Sequence, residues 1–175
     1  MLNITVRDPS IQSPADTLNL LNEKVREVFT NRRGESTAHD GMDIGLLVWH
    51  FKENYLQYSG AKRPLVLIRN GEAQSIAGDR FSIGGRYDSS EKVFIEKIIP
   101  VQSGDMLYLF SDGYPDQFGG PNGKKFMYRT FVKLLAKVSA LPVAEQKQEL
   151  ENTLAKWQGE LEQVDDILVV GVRIP

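Results

Sequence analysis

The sequence predicts an α+β domain, on three observations. Short apolar runs of strand length fill the middle of the chain, segments with helical apolar spacing stand before and after them, and an Asn70-Gly71 pair between two of the runs signals a hairpin. At 175 residues the chain has the length of one domain with a sizeable core.

Each element has its own signal. Ser13 as N-cap, Pro14 at the first helical position and Asp16 in the first turn start a helix whose apolar face carries Leu18, Leu21, Val25 and Val28. Strands follow at about Met42 to Phe51, Tyr55 to Ser59, Leu65 to Arg69 and Glu72 to Ile76, the last two joined by the Asn-Gly turn. Lys92 to Ile99 and Met106 to Ser111 read as two more strands. Two helices come next, one striped by Phe131, Leu134, Leu135 and Val138, the other by Leu150, Leu154, Trp157 and Leu161, with Pro142 between them. Ile167 to Ile174, apolar at successive positions, is expected to be a strand buried on both faces.

Composition narrows the function. The net charge is -2 and no basic block occurs, so the electrostatic footprint of a nucleic-acid binder is missing. There are no cysteines, which removes thiolate zinc sites and cysteine nucleophiles and makes the cytoplasm the default expectation. No window approaches the ~18 apolar residues of a membrane span, so no membrane insertion is expected.

Chemistry concentrates in carboxylates. Asp112 and Asp116 follow an apolar strand, Asp165 and Asp166 precede another, and such acids brought within a few ångströms must take up protons or a cation. Hard oxygen donors with two histidines and no cysteine select Mg²⁺, Mn²⁺ or Ca²⁺ over zinc. Gly113 lets the backbone after Asp112 turn sharply or approach an ion closely. Each motif taken alone is also what a solvated turn looks like. Asp166 is expected to point to the opposite face of the strand from Asp165, because side chains alternate, and so to take a supporting or capping role. GGPNGKK lacks the Gly and the Ser or Thr of a nucleotide-binding Walker loop, and neither histidine adjoins a nucleophile as a Ser-His-Asp site requires. Trp49 and Trp157 stand at apolar positions that suit a core.

Taken together, FSDGYPDQFGG, GKKF, QVDDILVVGVRI, DGMDIGLLVW and YSGAKRPLVLIRNGE resemble the C-terminal part of a bacterial metal-dependent serine/threonine protein phosphatase. The likeness is to the protein phosphatase 2C-like family, in its sporulation and stress-response branch. It covers nearly the whole chain. The resemblance implies a four-layer sandwich of two antiparallel sheets with helices outside. It also implies hydrolysis of phosphoserine or phosphothreonine on a protein by metal-activated water, with an upstream sensor as regulatory partner. The family's metal ligands match Asp112 and Asp165, which implies a two-metal Mn²⁺ or Mg²⁺ centre. Gly113, Asp116, Asp166 and Asp43 are expected in supporting or rim positions, and Arg63, on the corner SGAKRP, is a candidate for the substrate phosphate, with a solvated corner as its alternative.

The chain departs from the family at its start. The family's earlier strand ending in aspartate, followed by a Gly-His-Gly turn, has no counterpart, and His39 and His50 stand in other contexts. MLNITVRD resembles the end of the helix after that motif. The expectation is therefore a single phosphatase-like domain over 1–175, incomplete at its N-terminus, with a partial metal centre and weak or absent turnover. The alternative is a non-catalytic, protein-binding remnant. Loss of the first strands is expected to expose a sheet edge and to favour a homodimer or a strand-exchanged assembly.

Overall fold

Ser13 opens the first helix as its chemistry requires. The computed structural model describes residues 11–31, 41–84 and 93–175. The expectations for His39, Lys92 and the MLNITVRD segment lie outside them. In α1 (Pro14–Asn31) the Ser13 hydroxyl accepts from the Asp16 amide at 3.1 Å, and the Asp16 carboxylate accepts from the Gln12 amide at 3.1 Å. This pair satisfies the Asp16 amide, which the helix start leaves without a partner, and the Gln12 amide just ahead of the helix. Ser13→Ala should destabilise the chain by about 1 kcal/mol, read by urea denaturation; an unchanged midpoint would show that the cap contributes nothing.

The described residues fall into two compact units, one within 1–65 and 77–101, the other within 66–76 and 102–175. In the first, β1 (Ile44–His50) pairs antiparallel with β2 (Tyr55–Ala61), which pairs antiparallel with β5 (Lys97–Pro100). Leu18 and Leu21 of α1 are buried with Ala61, Ile83 and Phe94, and Val25 packs against the same cluster. Val28, one turn further on, is 38% exposed, so the apolar stripe outruns its core. The fifth strand begins later than expected. Side chains have taken over the backbone ahead of it: Asn19 bonds both the N–H and the C=O of Phe94, and Asp79 accepts from the Ile95 amide.

The second unit is a four-stranded antiparallel sheet in the order β4 (Glu72–Ile76), β3 (Leu65–Arg69), β6 (Met106–Phe110) and β9 (Val169–Arg173). Asn70 and Gly71 both take positive φ, 51° and 79°, the conformation that a two-residue turn between twisted strands demands. After β6 come the short helix α2 (Gly113–Asp116), a hairpin of β7 (Phe118–Gly119) and β8 (Lys124–Lys125), and the helices α3 (Tyr128–Val138) and α4 (Val143–Gln158). Val66, Ile68, Met106, Tyr108 and Phe110 form one core with Phe131, Leu134, Leu135, Val138 and Leu150 of the helices. Trp157 packs against this core, as its apolar position suggested. Leu161 does not: Gly159 closes α4 at φ 58°, its amide bonded to Ala155 O, and Leu161 is 48% exposed.

The last strand departs from expectation. It was expected to be buried on both faces, but Val170 and Val172 are 46% and 37% exposed. β9 stands at the end of the sheet order, and alternation puts Val170 and Val172 on the face opposite Val169, which packs on the helical core. An apolar run there reflects an outer strand with one covered face.

Candidate functional site

The two acidic motifs meet through their backbones. The first follows β6 directly: Asp112 stands at the N-cap of α2 with helical φ and ψ of -75° and -13°, and its carboxylate makes no capping bond. Its carbonyl accepts from the Asp116 amide at 2.9 Å, so the four-residue helix folds back over it. The second motif lies in the stretch between α4 and β9.

Ser111 joins the two. Its hydroxyl donates to Asp166 O at 2.7 Å and accepts from the Leu168 amide at 2.9 Å, while its own amide donates to Leu168 O at 3.0 Å. Gly113 has negative φ, so it is not present for a left-handed turn. It is there because the backbones touch: a Cβ at this position would stand 2.4 Å from Asp166 O. A sharp turn or a close approach to an ion was expected here; in this structure the residue lets the neighbouring motif's backbone come close. Asp112 and Asp165 therefore each sit one residue from a shared backbone contact.

The alternation argument for Asp166 is overturned. β9 begins only at Val169, and Asp165 forms a bend ahead of it. The ladder stops short because the Ser111 side chain, not a strand partner, takes Asp166 O. Capping also falls to the other acid: Asp165 Oδ1 accepts from the Asp166 amide at 2.7 Å. Both acids are exposed.

The remaining candidates have other partners. Asp116 pairs with Lys125 of β8 at 2.9 Å across the hairpin. Two glycines of GGPNGKK serve packing, since a Cβ on Gly119 would stand 1.9 Å from Trp157 O and one on Gly120 2.6 Å from Trp157 Cζ3, whereas Gly123 has open space around it and takes a φ of 56°. In the first unit Asp43 accepts from the Ser82 hydroxyl and lies 3.5 Å from the Arg63 guanidinium, so these two candidates hold each other.

The donor chemistry of Asp112 and Asp165, oxygen-only and anionic, fits Mg²⁺ or Mn²⁺. The donor number is short of a full cage: among the described residues no three His, Cys, Asp or Glu side chains cluster as a metal group would need. Two residues that hold the site together, Ser111 and Gln117, escaped the sequence reading. Ser111 looked like the end of a strand, and Gln117 stands among turn residues and carries no signal in one sequence.

The mixed antiparallel α+β fold, with helices beside its sheets, places the chain among PP2C-type domains. The chain belongs to the Stage II sporulation protein E (SpoIIE) family, whose model matches residues 3–175. Among solved structures it is similar to the SiaA-PP2C domain of Pseudomonas aeruginosa, with 28% identity and a TM-score of 0.87 over 99% of this chain and 66% of that one. It also matches the PP2C phosphatase domain with a regulatory fragment of SpoIIE from Bacillus subtilis, at 16% identity and TM-score 0.69, over 99% of this chain and 47% of that one. The serine/threonine phosphatase PstP/Ppp of Mycobacterium tuberculosis matches at 18% identity and TM-score 0.60, over 97% and 76%. The chain thus spans less than two thirds of the length of the first two. A comparison with curated protein sequences gave no match. No helix among the described residues is long and apolar enough to cross a membrane.

Proposed function

We propose that residues 1–175 form one phosphatase-like domain that hydrolyses phosphoserine or phosphothreonine on a cytoplasmic protein partner under the control of an upstream sensor. Asp112 and Asp165 are the residues that would hold Mn²⁺ or Mg²⁺. The observation that carries this reading is the contact of the SDG and DD backbones at Gly113 and Asp166, because it brings together two acids far apart in sequence. Bound there, a divalent ion makes water a better nucleophile near neutral pH and offsets phosphate charge. The chain's own contribution is placement. Ser111 fixes Asp166 and Leu168, and Asp165 stays in its bend by accepting from the next amide.

A second reading, a non-catalytic protein-binding module, is favoured by the absence of a three-acid cluster among the described residues. Hydrolysis of p-nitrophenyl phosphate with added Mn²⁺ separates the two. The enzyme reading expects turnover that EDTA abolishes and that Asp112→Asn and Asp165→Asn each lower by at least about 100-fold. No turnover from a folded protein that binds no metal selects the second reading.

We also propose a homodimer. Its support is the outer position of β9 among the described strands and the exposure of Leu168, Val170 and Val172 beside it. A monomer by light scattering at high concentration would count against it.

A further inference from the structure

Among the described residues, Gln117 is the fully buried polar side chain close to the two acidic motifs, at 0% exposure, and every polar atom of its carboxamide has a partner. Its Nε2 donates to Glu162 O at 2.9 Å and to Phe118 O at 3.1 Å, and its Oε1 accepts from the Val164 amide at 3.4 Å. The backbone beneath it is equally held: Gln117 O accepts from Phe126 N at 2.9 Å and from Trp157 Nε1 at 3.1 Å.

We infer that Gln117 is a positioning residue that sets where Asp165 stands relative to Asp112. The inference rests on the reading of those two acids as ligands. Residues 160–166 are exposed and carry no regular structure, and the bonds Asp165 makes inside this segment, from the Asp166 amide to its Oδ1 and from Gln163 Nε2 to its carbonyl oxygen, each at 2.7 Å, do not tie it to the rest of the domain. Two anchors outside the segment do. Gln117 grips residues 162 and 164, and Ser111 grips residues 166 and 168. Asp165 is the residue between these grips. Both anchors belong to one short segment, 111–117, and that segment also carries Asp112. A single rigid piece thus holds one acid and clamps the stretch bearing the other on both sides.

The side-chain type follows from the task. The site needs two donors and an acceptor at the end of one chain of this length, and a buried carboxamide supplies both without a charge. Methionine keeps the volume but offers neither donor nor amide acceptor. Glutamate keeps the acceptor for Val164 but loses the donors, and sets a carboxylate against Glu162 O.

The test combines amide hydrogen exchange with Mn²⁺ binding by calorimetry, on the wild-type chain, Gln117→Met, Gln117→Glu and Asp112→Asn. In Gln117→Met, exchange of the 162–166 amides should accelerate about tenfold while amides of β3 and β6 keep their rates, and the Mn²⁺ dissociation constant should rise about tenfold. Gln117→Glu should loosen the same segment, which keeps the proposal testable if the methionine variant fails to fold. Unchanged exchange at 162–166 in a folded variant overturns the clamp, and so does acceleration spread evenly over the sheet. Unchanged Mn²⁺ affinity alongside a loosened segment overturns the positioning role. Wild-type Mn²⁺ binding that Asp112→Asn does not weaken removes the ligand reading instead, and the exchange pattern then decides the clamp alone.

Discussion

Gly113→Ala is expected to destabilise the chain by about 3 kcal/mol and to abolish metal-dependent turnover, even though alanine is the better helix former. Two effects oppose each other at this position. Gly113 is the first residue of α2 and has negative φ, so a methyl group should favour the helix by about 1 kcal/mol. Against this, the added Cβ would meet Asp166 O at 2.4 Å, Asp166 C at 2.9 Å and Ile167 Cγ1 at 2.9 Å. Two of these are backbone atoms, and Asp166 O is also tied to Ser111. No side-chain rotation relieves such an overlap, so the motifs must separate, and the steric term exceeds the propensity term. Gly104 is the control. Nothing lies within 4 Å of a Cβ there, although its φ of 91° makes alanine strained for a different reason. Urea denaturation and p-nitrophenyl phosphate hydrolysis check the result; a Gly113→Ala protein as stable and active as the parent would show that the two backbones do not need to touch.

The same contact explains what was readable beforehand. Local rules work where local physics decides: Ser13 and Asp16 cap a helix through bonds within four residues, and Asn70-Gly71 turns a hairpin because these residues tolerate positive φ. The stripe Phe131, Leu134, Leu135 and Val138 is buried at every position because a helix on a sheet must bury one face. The site is different. That SDG and DD meet was suggested by resemblance, but how they meet depends on groups whose partners lie far along the chain. Ser111 bonds a residue 55 positions away and Gln117 one 45 positions away, and no period or propensity encodes such pairings. The reading of Asp166 failed for the same reason: alternation presumes a ladder, and here a serine side chain replaces it. The outer strand failed because an apolar sequence does not say whether both faces will find cover.

Arg69→Ala should cost about 3 kcal/mol, with a pH dependence that identifies the cause. Asp105, only 1% exposed, is the most deeply buried acid among the described residues. Arg69 grips it in fork geometry, Nε to Oδ1 at 2.9 Å and Nη2 to Oδ2 at 2.6 Å, and the Gln102 amide adds a bond at 3.0 Å. Asp105 O also accepts from Ile174 N, so this corner ties β3 and β6 to the end of the last strand. Burial by itself pushes the Asp105 carboxyl up, but the Arg69 bonds, the Gln102 amide and the Arg69 charge together hold it below the usual carboxylate range. A folded-state value below the unfolded one stabilises the native chain above about pH 4, and that stability is lost as pH falls through the depressed value. Removing Arg69 leaves burial as the dominant effect and reverses the sign: the folded-state value rises above the unfolded one, so the variant's stability is full below the unfolded value, falls as pH rises through the raised one, and returns on acidification. The Arg69 side chain is 37% exposed, so screening by water places the loss at the low end of the range for a broken buried pair. Denaturation midpoints at pH 7 and pH 4.5 should therefore converge, with the gap between parent and variant narrower in acid. An equal gap at both pH values would mean that Arg69 acts through its packing, and that the buried carboxylate is stabilised by the backbone alone.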